Sequence, residues 1–374
     1  MLRLTNIRLF DRTVIPDIEV DDGKDAVEDR DMGDLTAVPG YFDSHIHGSF
    51  GFDSSDGRAE DIVKLASMLP GFGVSDFLPT LVTLDEDRIL KAAGAVAEAS
   101  DKLGSFEGPH ANIAGVRLEG PLLSPGMAGV QNPEYLVSAD KFSLILEKLE
   151  NEYPGLVKMI DIAPEIEGAM DLVHRFSDRY VFSLAHSDCD FQKALEFLSS
   201  GGKSLTHALN AMRPCLKRDP GPLGAAFDNE DSYVEVICDG IHVDPVVLKM
   251  MFRLFDGRII VISDAVRAAG MPDGYYDLGG ISVESRGGRT FFGPSGNLAG
   301  SVTSMSQEAE RLYSFGIDKE TIIRSMTCTP RRRLGISKDN DPGALRRNLN
   351  FVDDEMRLMC VISQGRLVSP YVML

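Results

Sequence analysis

His45 and His47 are separated by one residue in Asp43-Ser44-His45-Ile46-His47. On a β-strand, residues i and i+2 point to the same face, so both imidazoles can share a cation. A lone pair at this spacing is a weak signal. It gains force from Glu119, His186 and His207, each of which closes a run that reads as a buried strand. Three nitrogen or oxygen donors with an open coordination position make a catalytic site for zinc or a similar divalent ion. Asp264 closes another run, Ile259-Ile260-Val261-Ile262-Ser263. Two roles suit it. An aspartate there can cap a helix, or it can take a proton from water and deliver it to a leaving nitrogen. The other candidate ligands on the same rim favour the second role.

These side chains need a scaffold that brings several strand ends together. Eight segments read as buried strands, at 40–47, 74–82, 112–119, 157–164, 180–186, 203–207, 233–238 and 258–264. Helical patterns lie between most of them. Phe142, Ile145, Leu146 and Leu149 share one helical face, and Phe191, Ala194, Leu195 and Leu198 repeat the spacing. Alternating strands and helices imply a parallel α/β sheet. Eight of them favour a closed (β/α)8 barrel of the TIM type over an open doubly wound sheet. Such barrels place their chemistry at the C-terminal ends of the strands. The expected organisation is a barrel over 40–339. Residues 1–39 and 340–374, rich in short alternating segments, pair into one small β-domain, since neither end alone can bury a core.

Composition narrows the function classes. Lys and Arg total 38 against 57 Asp and Glu, a net charge of −19. Such a surface repels nucleic acid and gives no long-range steering to an anionic metabolite, so any phosphate must be held by a local cation. No apolar run is long enough to span a membrane, and the alternating N-terminus reads as a strand, not a signal peptide. Five cysteines without a CxxC spacing fit a reduced, cytoplasmic setting. Cys189, Cys215 and Cys238 read as core cysteines before thiol ligands, and His110 and His174 as loop or surface histidines.

Several longer motifs carry a family resemblance. Pro39-Gly40-Tyr41-Phe42-Asp43-Ser44-His45-Ile46-His47-Gly48 is similar to the opening motif of amidohydrolases. Leu118-Glu119-Gly120-Pro121, Thr206-His207-Ala208-Leu209-Asn210-Ala211-Met212 and Asp239-Gly240-Ile241-His242-Val243 follow in order. So do Asp264-Ala265, Ala269-Gly270-Met271-Pro272-Asp273-Gly274 and Leu298-Ala299-Gly300-Ser301. From about residue 39 to about residue 335, the chain resembles the N-acetylglucosamine-6-phosphate deacetylases of the amidohydrolase superfamily.

The resemblance implies a barrel with a small β-sandwich built from both termini, in a homodimer. It implies removal of the N-acetyl group from N-acetylglucosamine 6-phosphate, with the galactosamine isomer as the rival substrate and an idle sugar-phosphate-binding protein as the rival of another class. Glu119, His186 and His207 match metal ligands, and Asp264 matches the catalytic acid/base. The ion is zinc or iron, and His45 and His47 raise the count from one to two. Many two-metal relatives bridge their ions with a lysine ending the fourth strand. Here the only lysine of that strand, Lys158, lies near its other end, so Glu119 is the bridge candidate. Asn210, Ala211 and His242 match substrate contacts, Leu298 lies where the pocket closes over the sugar, and Arg218 matches a phosphate-binding arginine that often acts across the dimer. Two positions depart from the pattern: Gln131 stands where many members have histidine, and Arg213-Pro214-Cys215 replaces a more apolar segment.

Overall fold

The computed structural model describes residues 1–22, 28–293, 296–336 and 346–371. Eight strands form the barrel: β1 (Tyr41–Ile46), β2 (Val74–Leu81), β3 (Val116–Glu119), β4 (Val157–Ile162), β5 (Val181–Leu184), β6 (Gly202–Leu205), β7 (Tyr233–Ile237) and β8 (Ile259–Ile262). Each pairs in parallel with the next. The ring closes at its C-terminal end, where the Asp264 N–H donates to the His45 carbonyl at 2.9 Å and Ile46 bridges Ala265. This is the expected TIM-type barrel, and every parallel strand delivers its C-terminal end to one mouth.

Helices α1 (Ala59–Met68), α2 (Glu86–Gly104), α3 (Ala139–Glu152), α4 (Ala169–Phe176), α5 (Phe191–Ser199), α6 (Gly221–Asp228), α7 (Pro245–Leu254) and α8 (Met305–Ser314) surround the strands. On α3 the four anticipated residues are all buried. On α5, Ala194 and Leu198 turn inward with Phe197, while Phe191 and Leu195 lie only partly buried at the edge of the core. Side-chain caps fix several starts. Ser138 accepts from the Lys141 N–H, Asp190 from that of Lys193, and Ser304 forms a reciprocal box with Gln307.

Two features differ from the sequence reading. The segment expected as one strand at 112–119 is broken into Asn112–Ile113 and β3. Gly115 between them has φ 136°, and a Cβ there would stand 2.7 Å from the Leu156 carbonyl oxygen. The ladder therefore bends at a position that only glycine fits. The strands also end earlier than their functional residues. His186 (φ 44°), His207 (φ 30°) and Asp264 (φ 48°) lie beyond β5, β6 and β8 in left-handed backbone. The reversal of φ breaks the ladder just where each side chain must turn into the mouth.

Both termini contribute to one six-stranded sheet. Ile7–Leu9, Val14–Ile15 and Thr36–Pro39 come from the N-terminal end, and Leu349–Val352, Leu358–Ser363 and Arg366–Val368 from the C-terminal end. Thr36–Pro39 and Leu349–Val352 join the two ends antiparallel, with Phe351 opposite Ala37. A three-stranded sheet of Leu2–Thr5, Ile18–Val20 and Glu28–Asp31 completes this layer. Its core of Leu4, Ile7, Val20, Leu349, Phe351 and Ile362 is separate from that of the barrel. The expected boundary at 339/340 lies outside the described residues.

An unanticipated four-stranded antiparallel sheet follows β8, formed by Gly274–Leu278, Ile281–Arg286, Arg289–Phe292 and Asn297–Leu298. The pairs Gly279-Gly280 and Gly287-Gly288, all at positive φ, make its first two turns. Among the described residues, no helix is long and apolar enough to cross a membrane.

Candidate active site

The mouth gathers five residues around the Glu119 carboxylate. Glu119, at the end of β3, places Oε1 3.1 Å from Nε2 of both His186 and His207 and 3.6 Å from Nε2 of His45. Its Oε2 faces His47 Nε2 at 3.2 Å. Asp264 Oδ1 lies 3.4 Å from His45 Nε2 and 3.3 Å from His47 Nε2. Two adjacent donor groups result, Glu119/His186/His207 and His45/His47/Asp264, all buried.

The backbone fixes which nitrogen faces the centre. His47 Nδ1 is 3.1 Å from the Thr80 carbonyl, and His186 Nδ1 is 2.9 Å from that of Met127. A carbonyl only accepts, so each Nδ1 carries a proton, and each Nε2, which faces Glu119, is the nitrogen that would give its lone pair to a bound cation. Both ring nitrogens of fully buried His45 lack a hydrogen-bond partner. A buried orphan of this kind is costly. His45 Nε2 points at two carboxylates, so the donor set suits a divalent cation. Asp161 also approaches His45 and Glu119, but Arg117 binds it through two N–H groups at 2.8 and 2.9 Å and Thr206 donates to it.

Charge around the cluster follows from burial and neighbours. Burial works against the Glu119 carboxylate, but the surrounding imidazoles outweigh it and hold the group well below the usual range. Burial likewise opposes ionisation of Asp264, and His45, His47 and His207 reverse the balance, so its carboxyl is lowered. His207 is pushed up to about 9: Glu119 overcomes the opposing effect of burial. His45 moves the other way, lowered by burial and by the Arg117 cation.

Around this cluster lies a cup of about 260 Å³. His47, Glu119, His186, His207 and Asp264 line it, as do the anticipated Asn210, Ala211, His242 and Leu298. Leu278 and Leu298 come from the antiparallel sheet after β8. Asp239 accepts from the backbone N–H groups of Ile241 and His242 and lies 2.8 Å from His242 Nδ1, which fixes that ring too. Gln131 lines the cup with both ends engaged. Its Oε1 accepts the Thr83 N–H at 2.7 Å, and its amide donates to Glu119 Oε2 at 2.5 Å.

No family model matches the chain. It is 34% identical over 311 residues to N-acetylglucosamine-6-phosphate deacetylase of Bacillus subtilis, across 81% of this chain and 76% of the relative. It is 31% identical over 352 residues to N-acetylgalactosamine-6-phosphate deacetylase of Escherichia coli O157:H7, across 92% and 90%.

The chain belongs to the N-acetylglucosamine-6-phosphate deacetylase family.

A solved member of that family, a mutant N-acetyl-D-glucosamine-6-phosphate deacetylase from Mycobacterium smegmatis in complex with N-acetyl-D-glucosamine-6-phosphate, is 25% identical with a TM-score of 0.83, covering 98% of both chains. Against the family's pattern, one residue stands apart. Arg218 is exposed and does not line the cup. It sits on a turn closed by hydrogen bonds between Leu216 and Asp219 and braced by Arg213 on Asp219 at 2.7 Å. Cys189 and Cys238 are buried as expected, whereas Cys215, on that same turn, is exposed. His174 is exposed, but His110 is buried, 2.8 Å from the Gly108 carbonyl.

Sequence reasoning missed a buried ion network beneath the mouth. Arg117 binds Asp161 and, at 2.7 and 2.8 Å, Glu235; Arg333 also donates to Glu235, whose Oε2 is 3.8 Å from His45 Nδ1. The available signal was a charged residue on a strand that is otherwise buried on both faces, in Val116-Arg117-Leu118-Glu119.

Proposed function

We propose that the protein hydrolyses the N-acetyl group of N-acetylglucosamine 6-phosphate, giving glucosamine 6-phosphate and acetate. The observation that carries the reading is the convergence, in one cup, of the Glu119/His186/His207 donors, an ionised Asp264 and the polar wall of Asn210 and His242. Glu119, His186 and His207 would hold zinc or iron, and His45 and His47 would extend the donor set to a second ion. A divalent cation so held polarises the acetyl carbonyl and acidifies water.

The chain's own residues do the rest. Asp264 accepts the proton of the attacking water, then delivers it to the amide nitrogen as the C–N bond breaks, and so returns to the carboxylate. His242, with its Nδ1 proton held by Asp239, contacts the substrate through its other face. Asn210 and Ala211 engage the sugar phosphate, and Leu298 and Leu278 cover the ring.

Arg218 takes the phosphate across a homodimer. Its exposure outside its own cup supports this role, as does an apolar stripe on α7, where Val246, Met250 and Leu254 are 60%, 55% and 46% exposed. Phe227 on α6 and Leu216 on the Arg218 turn are exposed as well. Five free cysteines support a cytoplasmic setting. The substrate assignment is tested by kcat/KM on the glucosamine and galactosamine epimers side by side. A higher value for the glucosamine epimer is expected, and a clear preference for the other would transfer the assignment to it.

A further inference from the structure

A second cavity, of about 520 Å³, lies outside the cup and is twice its size. Part of its lining is aromatic. Phe50 and Phe72 stack with ring centroids 5.2 Å apart, and Tyr371 meets them edge-on at 5.8 and 5.6 Å. Met271, Val302 and Ala268 extend this apolar wall. Another part is polar and presents donors. Among the described residues, Arg311 uses only Nη1, donating to the Asp239 carbonyl at 3.3 Å and to Thr303 Oγ1 at 3.2 Å. Its Nε–H and Nη2–H, the two that form the side-on fork of a guanidinium, have no partner among the described residues. None of those residues places a carboxylate within ion-pair distance of Arg311. Gln307 has its Oε1 pinned by the Ser304 N–H at 3.0 Å, which turns its NH2 group away from the helix cap.

Acidic groups at the cavity are otherwise engaged. Asp239 spends both carboxylate oxygens on Ile241 and His242. Asp273 accepts the Gly287 N–H with both of its oxygens at the exposed rim.

A free guanidinium fork matches the paired oxygens of a carboxylate or phosphate. Aromatic faces and a thioether suit a flat ring. We propose that this cavity is a second small-molecule site that takes an oxyanion carried on a ring, with the anion on Arg311 and Gln307 and the ring against Phe50, Phe72 and Tyr371. Asp239 walls the cavity and also holds His242 of the cup, so a ligand here alters KM for the substrate. That consequence, unlike the binding itself, rests on the function proposed above.

The test uses the metal-loaded full chain and isothermal titration with phenyl phosphate and benzoate, which separate the two oxyanions. Inorganic phosphate and benzyl alcohol serve as halves of the ligand. Saturable binding of at least one ring oxyanion is expected, at least tenfold tighter than either half. Arg311→Met weakens it at least tenfold. Met271→Glu, at an exposed position of the cavity wall, does the same by charge if Arg311→Met fails to fold. Asn210→Ala, in the cup, leaves it unchanged. Absence of saturable binding overturns the proposal. So does binding that survives in both cavity variants, or that is lost in Asn210→Ala, which would place the ligand in the cup.

Discussion

Oε2 of Glu119 lies 3.2 Å from Nε2 of His47, while the other oxygen of the same carboxylate faces His186 and His207. One carboxylate thus faces histidines on both of its oxygens, so it would be the residue shared by two bound ions. After chelation and reconstitution, the protein is expected to bind two equivalents of metal, and His45→Ala/His47→Ala one. Metal analysis showing one equivalent in both, with unchanged activity, would remove the second site.

Gln131 is held by the Thr83 N–H and itself holds Glu119. Its amide is therefore committed to orienting Glu119 and not free for an acetyl carbonyl. Loss of a residue that orients a ligand commonly costs about 10- to 100-fold in metal affinity. Gln131→Leu is expected to lose affinity by that order in competition with a chelator. Unchanged affinity would mean that the contact orients nothing.

Arg218 lies exposed, away from its own cup. A guanidinium grips phosphate through paired hydrogen bonds, and at −19 net charge the chain supplies no general attraction. Arg218→Ala is expected to raise KM for the 6-phosphorylated sugar far more than for unphosphorylated N-acetylglucosamine. An equal loss on both would make it an ordinary solvated arginine.

Protons and cation compete for the same nitrogens. Glu119 pushes His207 from 6.5 up to about 9 in the metal-free protein, against the effect of burial. A histidine raised in this way stabilises the fold fully below pH 6.5, and that contribution is lost as the pH climbs through about 9. The chelated protein should therefore lose thermal stability across that interval, and metal binding near neutral pH should release protons. Titration calorimetry in buffers of different ionisation enthalpy measures the release. No buffer dependence would contradict the assignment of His207 as a ligand.

The barrel was legible because its strands are apolar runs of the right length, separated by helices such as α3 with one inward stripe. The cluster was legible because imidazoles and carboxylates follow apolar runs that packing alone does not end that way. The left-handed backbone that aims His186, His207 and Asp264 was not, since αL geometry at a non-glycine residue leaves little compositional trace. The antiparallel sheet after β8 escaped notice although its double-glycine turns were in plain view, because strands such as Gly274–Leu278 are half-exposed and weakly patterned. Arg117 was overlooked because one charge on a strand reads as an outward residue until the closed barrel leaves it no outside.

Asp264 carries the central claim, that this cup breaks an amide by metal-assisted hydrolysis. Acetate released from N-acetylglucosamine 6-phosphate should be measured for the metal-loaded protein, for the chelated protein and for Asp264→Asn, with metal content determined on each sample. The expected result is turnover that disappears on chelation and returns on reconstitution. In Asp264→Asn, kcat should fall by at least about 10²- to 10⁴-fold, the usual contribution of a general acid–base group, with metal still bound. Acetate release at near-normal kcat by Asp264→Asn, or none from the fully loaded wild type, would contradict the account.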